Sequence, residues 1–62
     1  MKFRLDVECD NAAFGDTDEE RNAELSRILH KLAERIGQMA IVVSGKVHDV
    51  NGNKVGDWSV EQ

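Results

Sequence analysis

The chain has 62 residues and a formal net charge of −4 at pH 7. A chain of this length has room for one hydrophobic core, and we expect marginal stability because small domains bury only about 60% of their unfolded surface. Cys9 is the one cysteine, which excludes an internal disulfide, and the histidines do not have the spacing of a zinc site. Packing or self-association must therefore supply the stability.

The composition also indicates where in the cell the protein is located and which classes of ligand are disfavoured. The chain has no run of about 18 apolar residues, and its first residues alternate in polarity, which predicts neither a membrane span nor a signal peptide. An unpaired cysteine is typical of a reducing compartment, so we expect a cytoplasmic protein. The acidic balance disfavours binding to a nucleic-acid backbone, which requires a basic surface.

The first segment, residues 2–9, alternates between polar and apolar side chains. Its apolar members are Phe3, Leu5, Val7 and Cys9. A period of two predicts a strand with one buried face, and Asp10 and Asn11 favour the turn that ends it.

A helix is predicted over residues 18–36. Thr17 and Glu20 have the spacing of a capping box, in which each side chain accepts the free backbone N–H of the other residue. Gly37 is the expected left-handed residue at the end of the helix. The apolar residues recur at helical spacing and predict one buried stripe, formed by Leu25, Ile28, Leu29, Leu32 and Ile36 with Ala33 at its edge.

The C-terminal part predicts a β-hairpin with Asn51-Gly52 at its tip, because this dipeptide favours a tight turn between strands. The register pairs Asp49 with Lys54, Val47 with Gly56, Gly45 with Trp58 and Val43 with Val60. On the opposite face it pairs Lys46 with Asp57, His48 with Val55 and Ser44 with Ser59. A slip of one residue would lose both opposite-charge pairs and the placement of an indole over a glycine.

These segments predict an α+β fold of order β-α-β-β, with one amphipathic helix on a three-stranded, mainly antiparallel sheet, as a single domain over residues 1–62. The preferred strand order is 1-3-2, because antiparallel neighbours tolerate one solvated face. The alternative order, 3-2-1, makes the first two strands parallel through a right-handed crossover. The predicted inward residues of the hairpin are Ile41, Val43, Val47, Trp58 and Val60, with Gly45 and Gly56 making room for the indole.

An acidic segment precedes the helix, with carboxylates at Asp16, Asp18, Glu19 and Glu20. A calcium site would need the glycine and the later glutamate of an EF-hand loop, which the sequence lacks. The favoured explanation is that the carboxylates stabilise the positive end of the helix dipole, by ~0.3–1 kcal/mol each. We predict no metal and no cofactor, and we take Asp16, Asp18 and Glu19 as candidate partner-binding residues.

A basic stripe follows on the helix, where Arg27, Lys31 and Arg35 recur every four residues. Such a stripe is suited to phosphates or to an acidic partner, although a solvated helix face is the ordinary explanation. The sequence contains no nucleotide-binding, zinc-protease or nucleophile-elbow motif. A general base at His48 would need a cleft, which one helix on a small sheet does not provide. We therefore predict that the chain is not an enzyme.

The hairpin string Gly45-x-x-x-Asp49-x-Asn51-Gly52-Asn53-x-Val55-Gly56-x-Trp58 resembles a pattern in small uncharacterised bacterial and phage-associated proteins. In those proteins an N-x-A-F segment, here at residues 11–14, and a helix segment like residues 24–29 precede the hairpin. The resemblance covers roughly residues 3–60. It implies a phage or prophage accessory protein and brings no known activity.

The leading hypothesis is a non-enzymatic protein–protein interaction module that acts on a host factor through the acidic segment. Exposed strand edges and the short chain also favour a homodimer. The alternative is a small nucleic-acid-binding protein that uses the stripe of Arg27, Lys31 and Arg35. The net negative charge and the lack of an aromatic residue on the solvated sheet face disfavour this alternative.

Overall fold

The computed structural model describes residues 1–39 and 43–61. The elements are β1 (Lys2–Val7), a 3-10 turn (Ala12–Phe14), α1 (Asp18–Gln38), β2 (Ser44–His48) and β3 (Lys54–Glu61). β3 is the central strand of an antiparallel sheet with the order β1-β3-β2. The predicted α+β fold and the preferred strand order are confirmed. Within the described ranges, no helix is long and apolar enough to cross a membrane.

The predicted hairpin register is confirmed along most of β2. The observed pairs are Ser44 with Ser59, Gly45 with Trp58, Lys46 with Asp57 and Val47 with Gly56. The Val60 N–H also donates to the Val43 carbonyl at 2.7 Å. On the other side of β3, Leu5 of β1 lies opposite Trp58 and Phe3 lies opposite Val60. These side chains share the face of the sheet that carries Trp58, since directly opposite residues point to the same side.

The predicted register is wrong beyond Val47, where β3 contains a β-bulge. His48 lies opposite Lys54 instead of Val55, and the Asp49 N–H donates to the Asn53 carbonyl at 2.9 Å. A bulge adds one residue to one strand and so changes which side chains face inward. As a result, Val55 joins the core at 8% exposure, whereas the sequence placed it beside His48.

The turn also differs from the predicted two-residue Asn51-Gly52 turn. The Gly52 N–H donates to the Asp49 carbonyl at 3.0 Å, so Val50 and Asn51 are the central residues. Gly52 follows with a φ of 85°, in the left-handed region that favours glycine. Asp57 forms its ion pair with Lys54, at 3.9 Å, and not with the predicted cross-strand partner Lys46.

The start of α1 confirms one half of the predicted capping box. The Thr17 hydroxyl oxygen accepts the Glu20 N–H at 3.1 Å. The Glu20 carboxylate accepts the Thr17 hydroxyl at 3.1 Å and the Asp16 N–H at 3.4 Å, instead of the backbone N–H of Thr17. At the other end, the predicted stop at Gly37 is wrong. Gly37 is helical, α1 continues to Gln38, and the Met39 N–H donates to the Ile36 carbonyl at 3.2 Å.

The hydrophobic core lies between α1 and the hairpin half of the sheet. Trp58 is buried as predicted, and a Cβ at Gly45 would overlap the indole Nε1, which confirms that the ring lies over this glycine. Gly56 has a different role from the predicted one, since a Cβ there would overlap the Asp6 carbonyl of β1. The buried apolar side chains are Phe14, Ile28, Leu32, Val47, Val55 and Trp58.

Some predicted core positions are exposed. Leu29 and Ala33 are exposed, whereas Ile28 and Leu32 are buried as predicted. Leu25 and Ile36 are partly buried, and Glu24 is an unpredicted buried residue of α1. Val43 was predicted to face inward and is 59% exposed. Its side chain lies on the correct face, but at the end of the sheet that α1 does not cover. The predicted inward residue Ile41 lies outside the described residues.

Candidate functional site

A groove separates α1 from the edge strand β2. Its volume is about 300 Å³. At about 100° per residue, the basic stripe falls on the flank of α1 that faces β2. We call this feature the basic groove, with an apolar floor and a cationic rim made of Ile28, Leu32 and Val47 and of Arg27, Lys31 and Arg35. The sequence predicted no such cleft, so that interpretation is wrong.

Arg27 is the one member of the rim that a buried carboxylate holds in place. Its Nε and Nη2 donate to Glu24 Oε1 and Oε2 at 2.6 and 3.0 Å, and Glu24 is 7% exposed. The hydrogen bond from Arg27 is the main reason that the pKa of Glu24 is lowered, against the opposing effect of burial. The same contact raises the pKa of Arg27. Within residues 1–39 and 43–61, Lys31 and Arg35 form no ion pair and leave their charges available to a ligand.

The hairpin wall of the groove is fixed by a second buried carboxylate, Asp49. Asp49 accepts the backbone N–H groups of Asn51 and Asn53, both at 2.9 Å, and the side-chain amide of Asn11 at 2.7 Å. Burial by itself would raise the pKa of Asp49, but these hydrogen bonds outweigh it and the pKa is lowered. Asp49 therefore stays ionised, and its oxygens are occupied by donors of its own chain, so it keeps its negative charge but has little capacity to accept a hydrogen bond from a ligand.

Sequence reasoning missed Glu24, Asp49 and Asn11 as a connected group. The signal for Asp49 was present, because aspartate is favoured at the first position of a type I turn. No comparable signal marks Glu24, whose burial depends on where the hairpin tip meets α1.

β2, which supplies Val47 and His48 to the wall of the basic groove, also has an outer edge. In an antiparallel pair, residues that exchange hydrogen bonds alternate with residues that do not. Because Val43 and Val60 are bonded, the register places Gly45 and Val47 in bonded pairs as well. The backbone N–H and C=O groups of Ser44 and Lys46 therefore point away from β3. In the part of the chain that is described, β2 has no strand on this side.

The acidic segment lies away from the groove. Asp16, Asp18 and Glu19 are exposed at the start of α1, and Asp18 pairs with Arg21 at 3.2 Å. At a helical rise of about 1.5 Å per residue, Asp18 and Lys31 are separated by roughly 20 Å along the axis. The described residues contain no group of three side chains suited to hold a metal ion. Glu20 lines an open depression beside the 3-10 turn, but Asp16, Asp18 and Glu19 do not line it, so the three candidate residues have charge and exposure without a concave surface of their own.

One serine–histidine contact has the composition of a catalytic pair. His30 Nδ1 lies 3.4 Å from the Ser26 hydroxyl, but it lies 2.7 Å from the Ser26 backbone carbonyl. A nitrogen that donates to this carbonyl cannot accept the hydroxyl proton, and both side chains are exposed. The pair is thus a helix-surface hydrogen bond with no nucleophile–base geometry.

Comparisons with protein-family models, with curated proteins and with solved structures found no match. The functional proposal therefore rests on the geometry and charge of the described surface.

Proposed function

We propose that the chain is a non-enzymatic protein-binding module whose basic groove takes an extended, acidic segment of a partner protein. The observation that carries this proposal is the open edge of β2 beside a row of cations. The outward backbone groups of Ser44 and Lys46 are available for a further strand, and β2 continues through Val47 and His48 into the groove that Lys31 and Arg35 line.

Strand addition explains how such a groove binds. An extended peptide beside β2 gains main-chain hydrogen bonds, and its alternate side chains enter the pockets that give specificity. Every second side chain would face α1, where the cations lie. Carboxylates at alternating positions therefore fit Lys31 and Arg35.

The charge distribution supports an acidic ligand. The chain as a whole carries −4, so the rim is a local region of opposite sign that would orient an incoming anionic segment. Two carboxylates also line the groove, Glu34 and Asp49. Both carry a negative charge that opposes an anionic ligand, although the oxygens of Asp49 are already hydrogen-bonded within the chain.

The basic groove is a better binding surface than the acidic segment, because its cations line a concave surface with an apolar floor. Asp16, Asp18 and Glu19 form a second candidate surface for a basic partner. The resemblance of the hairpin string to phage-associated proteins supports an accessory role for a phage or prophage, in which the partner is a host factor in the cytoplasm.

Nucleic-acid binding is the second candidate function, since three cations line one groove. Arg27 is already bound by Glu24, and the described lining residues include no phenylalanine, tyrosine or tryptophan to stack on a base, with His48 as the one ring on the groove wall. The two functions differ in salt dependence, because release of counterions from nucleic acid makes its binding steeply dependent on salt concentration.

The experiment is a fluorescence-polarisation titration with three labelled probes: a peptide of alternating Glu and Val, its Lys and Val counterpart, and a single-stranded oligodeoxynucleotide. We expect the acidic peptide to bind, with a loss on the order of ten-fold in the double variant Lys31→Glu and Arg35→Glu. The matched control has the same charge change on the far edge strand β1, at Lys2→Glu and Arg4→Glu, and should bind like the wild type.

Two results would overturn the proposal. If both double variants lose the acidic peptide equally, net charge and not the groove is responsible. If the oligodeoxynucleotide alone binds, with a steep salt dependence that the groove variant removes, the nucleic-acid function is correct.

A further inference from the structure

The chain exposes more surface than its mass accounts for. Its accessible surface is 4760 Å². A folded monomer of 6.9 kDa exposes about 4,000 Å², so the excess is about 760 Å². The radius of gyration is also large, 12.2 Å compared with about 10.6 Å for a compact domain of this length. One subunit of a standard interface buries about 800 Å², which is close to the excess.

Phe3 and Val43 of the sheet and Leu29 of α1 are exposed, and Val60 is partly buried against the core. Phe3, Val60 and Val43 form a row across the sheet, on the face that carries Trp58. Phe3 is 54% exposed, although its ring centroid lies 6.0 Å from that of Trp58. Leu29 of α1 is 46% exposed and, at about 100° per residue, falls on the flank away from Arg27 and Lys31. We call these residues the apolar face: Phe3, Leu29, Val43 and Val60.

We infer that the apolar face is the interface of a homodimer. The Phe3 ring lies against the buried Trp58 ring and is itself partly exposed. A second copy on this face would bury it and so extend the hydrophobic core of each subunit. Burial of such a face is the stabilisation that a short chain without a disulfide requires. This inference does not rest on the proposed function, although Val43 of the apolar face directly precedes Ser44 at the edge of β2.

A second copy fits this face better than a different protein does, for a reason of charge. A two-fold interface sets each patch against the same patch of the other subunit. Two chains that each carry −4 repel one another unless the contact is made by uncharged side chains. The apolar face contains no ionisable group, so it meets this requirement. The sequence hypothesis located self-association at strand edges, whereas the structure indicates a sheet face.

The first test is the mass in solution, measured by sedimentation over a wide range of micromolar concentrations. We expect the wild type to approach twice 6.9 kDa. Leu29→Lys should raise the dissociation constant by on the order of ten-fold or more, because it places like charges in the interface. Val50→Lys is the matched control, since Val50 is 60% exposed at the hairpin tip, away from the apolar face. Circular dichroism confirms that each variant is folded.

The second test needs no substitution. A sample that mixes isotope-labelled and unlabelled chains should show intermolecular nuclear Overhauser effects from the Leu29 methyl groups to apolar-face protons of the other copy. A wild-type mass of 6.9 kDa at every concentration would overturn the inference. So would a dimer that lacks these effects, or equal weakening by Leu29→Lys and Val50→Lys.

Discussion

Glu24 in the second turn of α1 accepts the backbone N–H of Val50 at the hairpin tip, with Oε2 at 2.9 Å across 26 positions of sequence. The same carboxylate binds Arg27 through both of its oxygens. One buried side chain therefore ties the hairpin to the helix and holds one cation of the basic groove in place. This contact also explains why Glu24, which the sequence did not place in the buried stripe, is buried.

Replacement of Glu24 by Gln should lower the free energy of unfolding by ~1–3 kcal/mol, because buried hydrogen-bonding groups lose their charged partner. Urea unfolding at neutral pH measures this loss. The control Glu34→Gln removes an exposed carboxylate of the same helix and should unfold at the wild-type urea concentration. Equal unfolding midpoints for both variants would contradict the anchoring role of Glu24.

Acidification should destabilise the wild type through the same two buried carboxylates. The pKa values of Glu24 and Asp49 are lowered in the folded chain from ordinary values of 4.5 and 3.8. A lowered carboxylate pKa stabilises the fold above the ordinary value, and this stabilisation is lost as the pH falls through the folded-state value. Thermal melts between neutral pH and pH about 3 should show the decline beginning near these ordinary values. Glu24→Gln should show a smaller decline, and an unchanged slope would exclude a contribution from Glu24.

The Trp58–Gly45 contact predicts a coupled pair of substitutions. Trp58→Ala should cost ~3–5 kcal/mol, as expected for a large buried ring. Trp58→Phe should cost less, because the indole Nε1 has no hydrogen-bond acceptor among the described residues. Gly45→Ala should destabilise the wild type by ~1–3 kcal/mol through overlap with the indole.

In the Trp58→Phe background, Gly45→Ala should cost less, since the overlapping indole atoms are gone. A double-mutant cycle in urea measures the difference. Additive effects would show that the indole does not rest on Gly45.

Two glycines, one with a negative and one with a positive φ, should respond in opposite directions to substitution by alanine. Gly37 is helical and an added Cβ meets no atom within 4 Å, so Gly37→Ala should stabilise the chain by ~0.5–1 kcal/mol. Gly52 has a φ of 85°, so Gly52→Ala should destabilise it by ~1–2 kcal/mol. Thermal melts of the two variants should shift in opposite directions. A destabilising Gly37→Ala would indicate that α1 ends at Gly37, as the sequence predicted.

The sheet was predictable from the sequence because its signals are local. Period-two alternation located β1, and the Asn-Gly dipeptide set the hairpin register closely enough to place Trp58 over Gly45. The predicted register is wrong only near the turn, where a side chain accepts backbone N–H groups that the predicted register would pair across the hairpin. The Asp49 carboxylate takes the N–H groups of Asn51 and Asn53, which changes the turn and accompanies the bulge.

The candidate site was less predictable, because it depends on how the elements are placed against each other. The spacing of Arg27, Lys31 and Arg35 was visible, but their position opposite β2 follows from the rotation of α1, which Glu24 fixes through Val50. Phe14 was missed as a core residue for a similar reason. It lies outside any periodic segment, and its burial depends on a short turn capped by Asn11, whose side chain accepts the Ala13 N–H at 2.9 Å.

The last prediction tests strand addition separately from charge. The Lys46 N–H points away from β3, so Lys46→Pro should leave the sheet intact, as prolines do on open strand edges. It should abolish binding of the alternating Glu and Val peptide, because the proline removes a donor that the added strand needs.

Lys46→Thr is the matched control. It removes the same charge, keeps the donor and suits a strand, so it should retain most of the binding. Fluorescence polarisation gives the affinities, and circular dichroism confirms the fold. Amide exchange in the wild type should also slow at Ser44 and Lys46 when the peptide is bound, because these are the two residues whose outward groups it covers. If a folded Lys46→Pro variant binds as tightly as Lys46→Thr, the peptide is held by side chains alone, and β2 is not extended by a partner strand.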